Sequence, residues 1–171
     1  DTNAHTMWAE PAMPPLRRFA PGIETQWPQA RNIHGGEDDA RIVPPETAPP
    51  YSDLAYLSGF EQAAYYCIRN PETGLGFRLE WEADTFPCLW YWTERYGMAD
   101  FPWWGECYTV GLEPWTSRWT PEPEKAIEKG EWLRLEAGET RATRLRARTE
   151  ERPLRFQRSD GRREGEVRRR K

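Results

Sequence analysis

The sequence predicts an all-β protein with one short helix, and three observations lead there. Residues 75–81 alternate strictly, with Leu75, Phe77, Leu79 and Trp81 set against Gly76, Arg78 and Glu80. A period of two is the mark of a strand with one buried face. The 16 prolines and 13 glycines among 171 residues interrupt the chain too often for long helices. Hydrophobic residues make up only 37%, yet aromatics reach 13% and tryptophan alone numbers 10. Apolar content held in a few large rings suits sheets around an aromatic-lined cleft better than a helical bundle.

Taken in order, Thr6-Met7-Trp8 is the first candidate strand, and prolines at 11, 14, 15, 21 and 28 then break any longer element. His34-Gly35-Gly36 and the acidic run after it read as a polar loop that continues through Pro44-Pro45 and Pro49-Pro50. Residues 62–69 form a strand, Asn70 to Gly74 a turn, and Leu75 to Trp81 the returning strand of a hairpin. Phe86 to Tyr96 is apolar on both faces, with Cys88, Trp90 and Trp92 on one and Leu89 and Tyr91 on the other. That predicts a central strand covered on both sides. A loop over Gly97–Gly105 carries Trp103-Trp104, and Cys107 to Glu113 is a strand stopped by Pro114. Pro121 to Lys129 is the one helix, with prolines at its start and Gly130 just past its end. Trp132 to Leu135 and Ala142 to Ala147 are read as strands around an Ala137–Glu139 turn, and residues 151–171 as a terminal hairpin with a basic tail.

Charge and cysteine usage narrow the partners. The net charge is -4, but residues 141–171 are strongly basic, so the remainder is more acidic than the total suggests. The tail reads as a solvated hairpin end, or as a surface for an acidic partner. No RNA- or DNA-binding motif accompanies it, so nucleic acid is not the expected partner. The 3 cysteines are scattered without a Cys-x-x-Cys pair, and only 2 histidines are present. That pattern argues against a disulfide framework and against a metal site, and fits a cytoplasmic setting with buried thiols. No charged-then-apolar leader opens the chain at Asp1, and no apolar run approaches the roughly 20 residues that cross a bilayer. The sequence leaves the oligomeric state open.

The chemistry concentrates between Trp81 and Trp119, where most of the tryptophans lie. In Tyr108–Pro114, alternation puts Tyr108, Val110 and Leu112 on one face and Thr109, Gly111 and Glu113 on the other. The second face is small and polar around one carboxylate. Sugars offer apolar C–H faces that stack on tryptophan and hydroxyls that donate to a carboxylate, so Glu113 with Trp90, Trp103, Trp104 and Trp115 is a candidate sugar site. The bland alternative is a solvated glutamate before a proline turn. Arg78 can hold a sugar hydroxyl or pair with Glu80. His5 is a candidate proton donor near neutral pH, or incidental. A second acid for a two-carboxylate glycosidase is not singled out among Glu80, Glu82, Asp84, Glu94 and Glu106.

The runs Gly76-Phe77-Arg78-Leu79-Glu80-Trp81, Phe86-Pro87-Cys88-Leu89-Trp90-Tyr91-Trp92, the Trp103-Trp104-Gly105 loop and Tyr108 to Thr116 together resemble the galactose mutarotase-like (aldose 1-epimerase-like) superfamily. Lys125 to Thr140 is similar to its helix, glycine, strand and turn, and His5 to Met13 to the strand that brings in a histidine. The resemblance covers residues 1–150, and Leu112-Glu113-Pro114 is its most specific element. It implies that 1–150 is the C-terminal part of a β-supersandwich domain with a hexose cleft. It implies that Glu113 is a base on the anomeric hydroxyl, with a histidine, here His5, protonating the ring oxygen. The ring opens, the aldehyde end rotates and the ring recloses, without metal or organic cofactor. A non-catalytic carbohydrate-binding domain with the same cleft is the alternative expectation.

Overall fold

The computed structural model describes residues 1–12, 16–118 and 122–151. The expected terminal hairpin lies outside the described residues, apart from Glu151. Among the described residues ten strands run in chain order: β1 (Thr6–Ala9), β2 (Glu24–Gln26), β3 (Gln29–Arg31), β4 (Glu37–Asp39), β5 (Tyr51–Ser58), β6 (Ala63–Arg69), β7 (Leu75–Glu82), β8 (Cys88–Arg95), β9 (Tyr108–Trp115) and β10 (Leu145–Glu151). The one helix among them, α1, spans Pro123–Glu128. The expectation of an all-β chain with one short helix is met. Among the described residues no helix is long and apolar enough to cross a membrane.

Two antiparallel sheets form the body. The larger has the order β2-β1-β5-β8-β9 and the smaller β10-β7-β6, with β3-β4 as a separate hairpin. The inner face of the large sheet carries Met7, Ala9, Ala55, Leu57, Leu89 and Tyr91, and these share one core with Ala64, Tyr66 and Trp81 of the small sheet. Val110 and Leu112 close that core at β9, as their alternation requires. The β3–β4 hairpin extends it with Ala30 and Ala40, the Ala40 carbonyl accepting the Tyr91 hydroxyl at 3.0 Å. The small sheet turns its other face outward, where Arg78, Glu80 and Arg148 form an ion-paired ladder.

The central strand β5 escapes a pattern reading because it is buried on both faces and carries Ser52 and Asp53. Asp53 is only 3% exposed, and its carboxylate accepts the backbone N–H groups of Arg18 (2.9 Å) and Phe19 (3.4 Å). Burial pushes its pKa up to about 6, and the two backbone donors pull the other way. Arg18 in turn pairs with Asp38 at 2.7 Å, so one buried carboxylate indirectly anchors the β3–β4 hairpin. Residue 97 must be glycine for packing reasons. A Cβ there would lie 2.4 Å from the Tyr51 carbonyl carbon, which belongs to backbone that cannot swing away.

Three expectations are corrected. Pro114 does not stop β9, which continues to Trp115 opposite Cys88. β9 is an edge strand of its sheet, and edges tolerate a residue that cannot donate to a ladder. Residues 132–135 form no strand, and Trp132 and Leu135 remain exposed. The helix runs from Pro123, after its N-cap Glu122, to Glu128, with Lys129 as its C-cap and Gly130 (φ 71°) ending it. The Gly130 and Glu131 N–H groups return to the Ile127 and Ala126 carbonyls at 3.1 and 2.8 Å, a paired closure that needs a left-handed residue.

Candidate functional site

The outer face of the large sheet is aromatic. Register sets Trp8 of β1, Tyr56 of β5, Trp90 of β8 and Glu113 of β9 in one cross-strand row. Trp8 stacks on Tyr56 (centroids 5.6 Å apart), Tyr56 meets Trp90 edge-on (5.9 Å), and Trp90 stacks on Trp115 (4.3 Å, 16° between planes). The Trp115 indole N–H donates to Glu113 Oε2 at 3.2 Å. The neighbouring row sets Leu54, Trp92 and Gly111 side by side. A Cβ on residue 111 would lie 2.9 Å from Glu113 Oε1 and 3.2 Å from Trp92 Cε3. Glycine at 111 thus leaves room for the Glu113 carboxylate where it stands.

The face divides into a sealed half and an open half. Over the sealed half, the Trp90 indole N–H donates to the Ser117 carbonyl at 2.7 Å. The Arg118 guanidinium lies 5.7 Å from the Trp8 ring and pairs with Glu131 at 2.7 Å. That carboxylate raises the pKa of Arg118 further. Cys88 lies in the same sealed half, and burial pushes its thiol pKa up, which removes it as a nucleophile. Tyr56 is fully buried and donates to Glu10 Oε2 at 2.7 Å, while Glu10 Oε1 accepts the Ala12 N–H at 2.9 Å. Glu10 is thus a structural carboxylate that ties the end of β1 to β5. The open half holds Trp92, Trp103, Glu113 and Trp115, with Trp90 on the border between the halves, each half-buried or exposed. Trp103 comes from the loop between β8 and β9 and packs on Trp92 at 5.0 Å.

Of the residues singled out from sequence, Glu113, Trp90, Trp103 and Trp115 come together on this face. Trp104 comes from the same loop but is 64% exposed, in a left-handed conformation (φ 51°), against Phe101. Arg78 lies in the small sheet, bonded to Glu80 at 2.7 Å and 3.7 Å from the Tyr65 ring centroid. His5 is exposed just before β1, its N–H on the Ser58 carbonyl at 2.9 Å. Alternation groups it with Met7 on the inner face, and β5 and β8 separate β1 from β9. At about 4.8 Å per strand that is some 14 Å of sheet. His5 is therefore not brought to Glu113. His34 sits in the β3–β4 turn, its N–H held by the Asn32 side chain at 3.0 Å. Trp92 joins the site, and its alternation with Trp90 is the signal that identifies it.

A family model described as a domain of unknown function (DUF4432) matches residues 54–148. The chain belongs to this family. The DUF4432 match begins within β5 and ends within β10, so it takes in every residue of the open half and leaves out His5. No curated protein and no solved structure matches the chain.

Proposed function

We propose that this DUF4432 protein is a carbohydrate-binding, aldose 1-epimerase-like isomerase that interconverts sugar anomers on the open half of the aromatic face. The observation that carries the reading is the setting of Glu113, with one oxygen held by Trp115 and the other beside Gly111, whose missing side chain leaves space between the carboxylate and the Trp92 ring. A pyranose laid on these rings turns its hydroxyl edge toward the carboxylate. Glu113 then takes the proton of the anomeric hydroxyl, the C1 carbonyl forms, and the bond from C1 to the ring oxygen breaks as that oxygen takes a proton from solvent water, to which the Glu113 proton is later returned. Rotation of the aldehyde end and the reverse sequence give the other anomer. The chemistry uses no metal or organic cofactor. The order of motifs shared with the galactose mutarotase-like superfamily supports the same reading, as does a two-sheet antiparallel architecture.

A second reading, carbohydrate binding without turnover, is favoured by the histidines, neither of which stands on the Glu113 face. Magnetisation exchange between the α and β anomers of glucose and galactose separates the two. Isomerisation predicts exchange faster than in buffer, falling by on the order of 100-fold or more in Glu113→Gln. Tryptophan fluorescence that responds to the sugar without faster exchange establishes the second reading. A protein that does neither is not a sugar protein of this kind.

A further inference from the structure

Arg95, the last residue of β8, is 1% exposed, and none of its three guanidinium nitrogens finds an acceptor among the described residues. Arginine keeps its charge at any pH a protein meets, and a buried cation without a counter-charge is strongly destabilising. The nearest carboxylates in the strands are turned away or engaged. Glu94, one residue back, lies on the opposite face of β8 and accepts the Gly97 and Met98 N–H groups at 2.7 and 3.0 Å. Asp53, two residues along β5 from the partner of Arg95, is held by the Arg18 and Phe19 N–H groups. What Arg95 does meet is aromatic. Register sets it between Tyr51 of β5 and Tyr108 of β9, with ring centroids 5.6 and 5.2 Å from its guanidinium carbon. Ring faces attract the charge but offer no lone pair to its N–H donors.

Two further groups at this end of the inner face are in the same condition. The hydroxyls of Tyr51 and Thr93 are buried and make no hydrogen bond among the described residues. Burial raises the pKa of Tyr51, and the charges of Arg18 and Arg95 and the Thr93 hydroxyl oppose that rise, so these groups act at short range on one phenol oxygen. A guanidinium and two hydroxyls that lack acceptors of the protein's own suit a ligand that only accepts. The planar fork of the guanidinium matches two oxygens of a carboxylate or phosphate.

We propose that Arg95, Tyr51 and Thr93 form a binding site for a small oxyanion, a simple carboxylate or inorganic phosphate, on the face of the large sheet turned away from Glu113. The two tyrosine rings that close over the guanidinium limit the ligand to a few atoms. Tyr108 is the way in. It heads the edge strand β9 and is 47% exposed, so turning its ring outward opens the guanidinium to solvent. The oxyanion supplies the missing counter-charge and stabilises the fold, whatever reaction the outer face performs.

Equilibrium dialysis of radiolabelled formate and phosphate against the whole chain, in constant sodium chloride, tests the site. At least one oxyanion is expected to bind saturably at a single site per chain, and the tighter of the two identifies the source. Arg95→Met should abolish that binding. With an apolar side chain in place of an unpaired charge, it should also match or exceed the wild type in urea without the oxyanion. Adding the oxyanion should raise the wild-type urea midpoint and leave that of Arg95→Met unmoved. Tyr51→Phe and Thr93→Val each remove one unpartnered hydroxyl and keep the shape, so both are expected to fold. Each should weaken binding about fivefold, the worth of one hydrogen bond. If Arg95→Met does not fold, these two variants decide. No saturable binding of either oxyanion overturns the site, as does an affinity unchanged in Arg95→Met or in both hydroxyl variants. Chloride that competes as well as the oxyanions makes charge alone the binder and overturns the oxyanion assignment.

Discussion

The two faces of the large sheet are built from the same strands and alternate residues, yet they are filled differently. On the inner face Leu89, Leu57 and Met7 are sealed to 0%, 1% and 1% exposure by the small sheet and the β3–β4 hairpin. On the outer face Trp90, Trp92 and Glu113 stay partly accessible, and only the half under Ser117 and Arg118 is closed. The difference teaches where stability and recognition reside. Burial of aliphatic surface stabilises the fold through the inner face, whereas the outer face leaves ring surface and a carboxylate accessible. Substitutions at neighbouring positions in one strand should therefore separate into two kinds.

The largest effect belongs to the inner face. Leu89→Ala empties a fully buried site and is expected to lower stability by about 2–5 kcal/mol in urea unfolding. Trp90→Ala, one residue along, should lose less, because its ring is only half covered. Equal losses would erase the distinction between the faces.

Next comes the pH dependence of Asp53, also on the inner face beside Thr93. An acid whose pKa is raised by folding holds its proton more tightly in the native state. Its stabilisation is therefore complete below the unfolded value of 3.8 and is lost as pH rises through about 6. The shift corresponds to about 3 kcal/mol. Urea midpoints measured from pH 4 to pH 7 should fall for the wild type by more than for Asp53→Asn, which has no proton to release. Parallel profiles would show that Asp53 is not the source.

Smaller still is Gly111→Ala on the outer face. The new methyl meets the end of the Glu113 side chain, which can move, so the stability change is expected to stay below about 1 kcal/mol. Displacing the carboxylate should nonetheless weaken aldose binding about tenfold, a loss of about 1.4 kcal/mol in affinity. Smallest is Glu113→Gln, whose unfolding midpoint should match the wild type within about 0.5 kcal/mol. A large loss of stability in either variant would make Glu113 part of the scaffold and not of a site.

What was legible in the sequence follows the same division. β7, β8 and β9 each show one face against another, so Phe77 with Leu79 and Trp90 with Trp92 declare their strands. The placement of Glu113 opposite Val110 and Leu112 was equally plain. β5 was not legible, because a strand buried on both faces has no polar side to alternate with, and Asp53 in its middle reads as a loop residue. β2, β3 and β4 are three residues each and are held by partners, including Asp53 and Tyr91, that are distant in sequence. The separation of Arg78 and His5 from Glu113 depends on sheet order, which periodicity does not encode. Trp104 reads like Trp103 in the sequence, yet it takes a left-handed backbone and keeps its ring exposed while Trp103 packs on Trp92.

The stack of Trp90 on Trp115 has an optical consequence. Two indoles 4.3 Å apart and nearly parallel share their electronic excitation, and a chiral arrangement of coupled chromophores gives paired circular dichroism bands of opposite sign. Because Trp115 also bonds Glu113, a molecule that competes for that carboxylate is expected to change the geometry of the pair. The stack would therefore serve as an unlabelled gauge of any such molecule, read as the difference between the spectra of the wild type and Trp115→Phe.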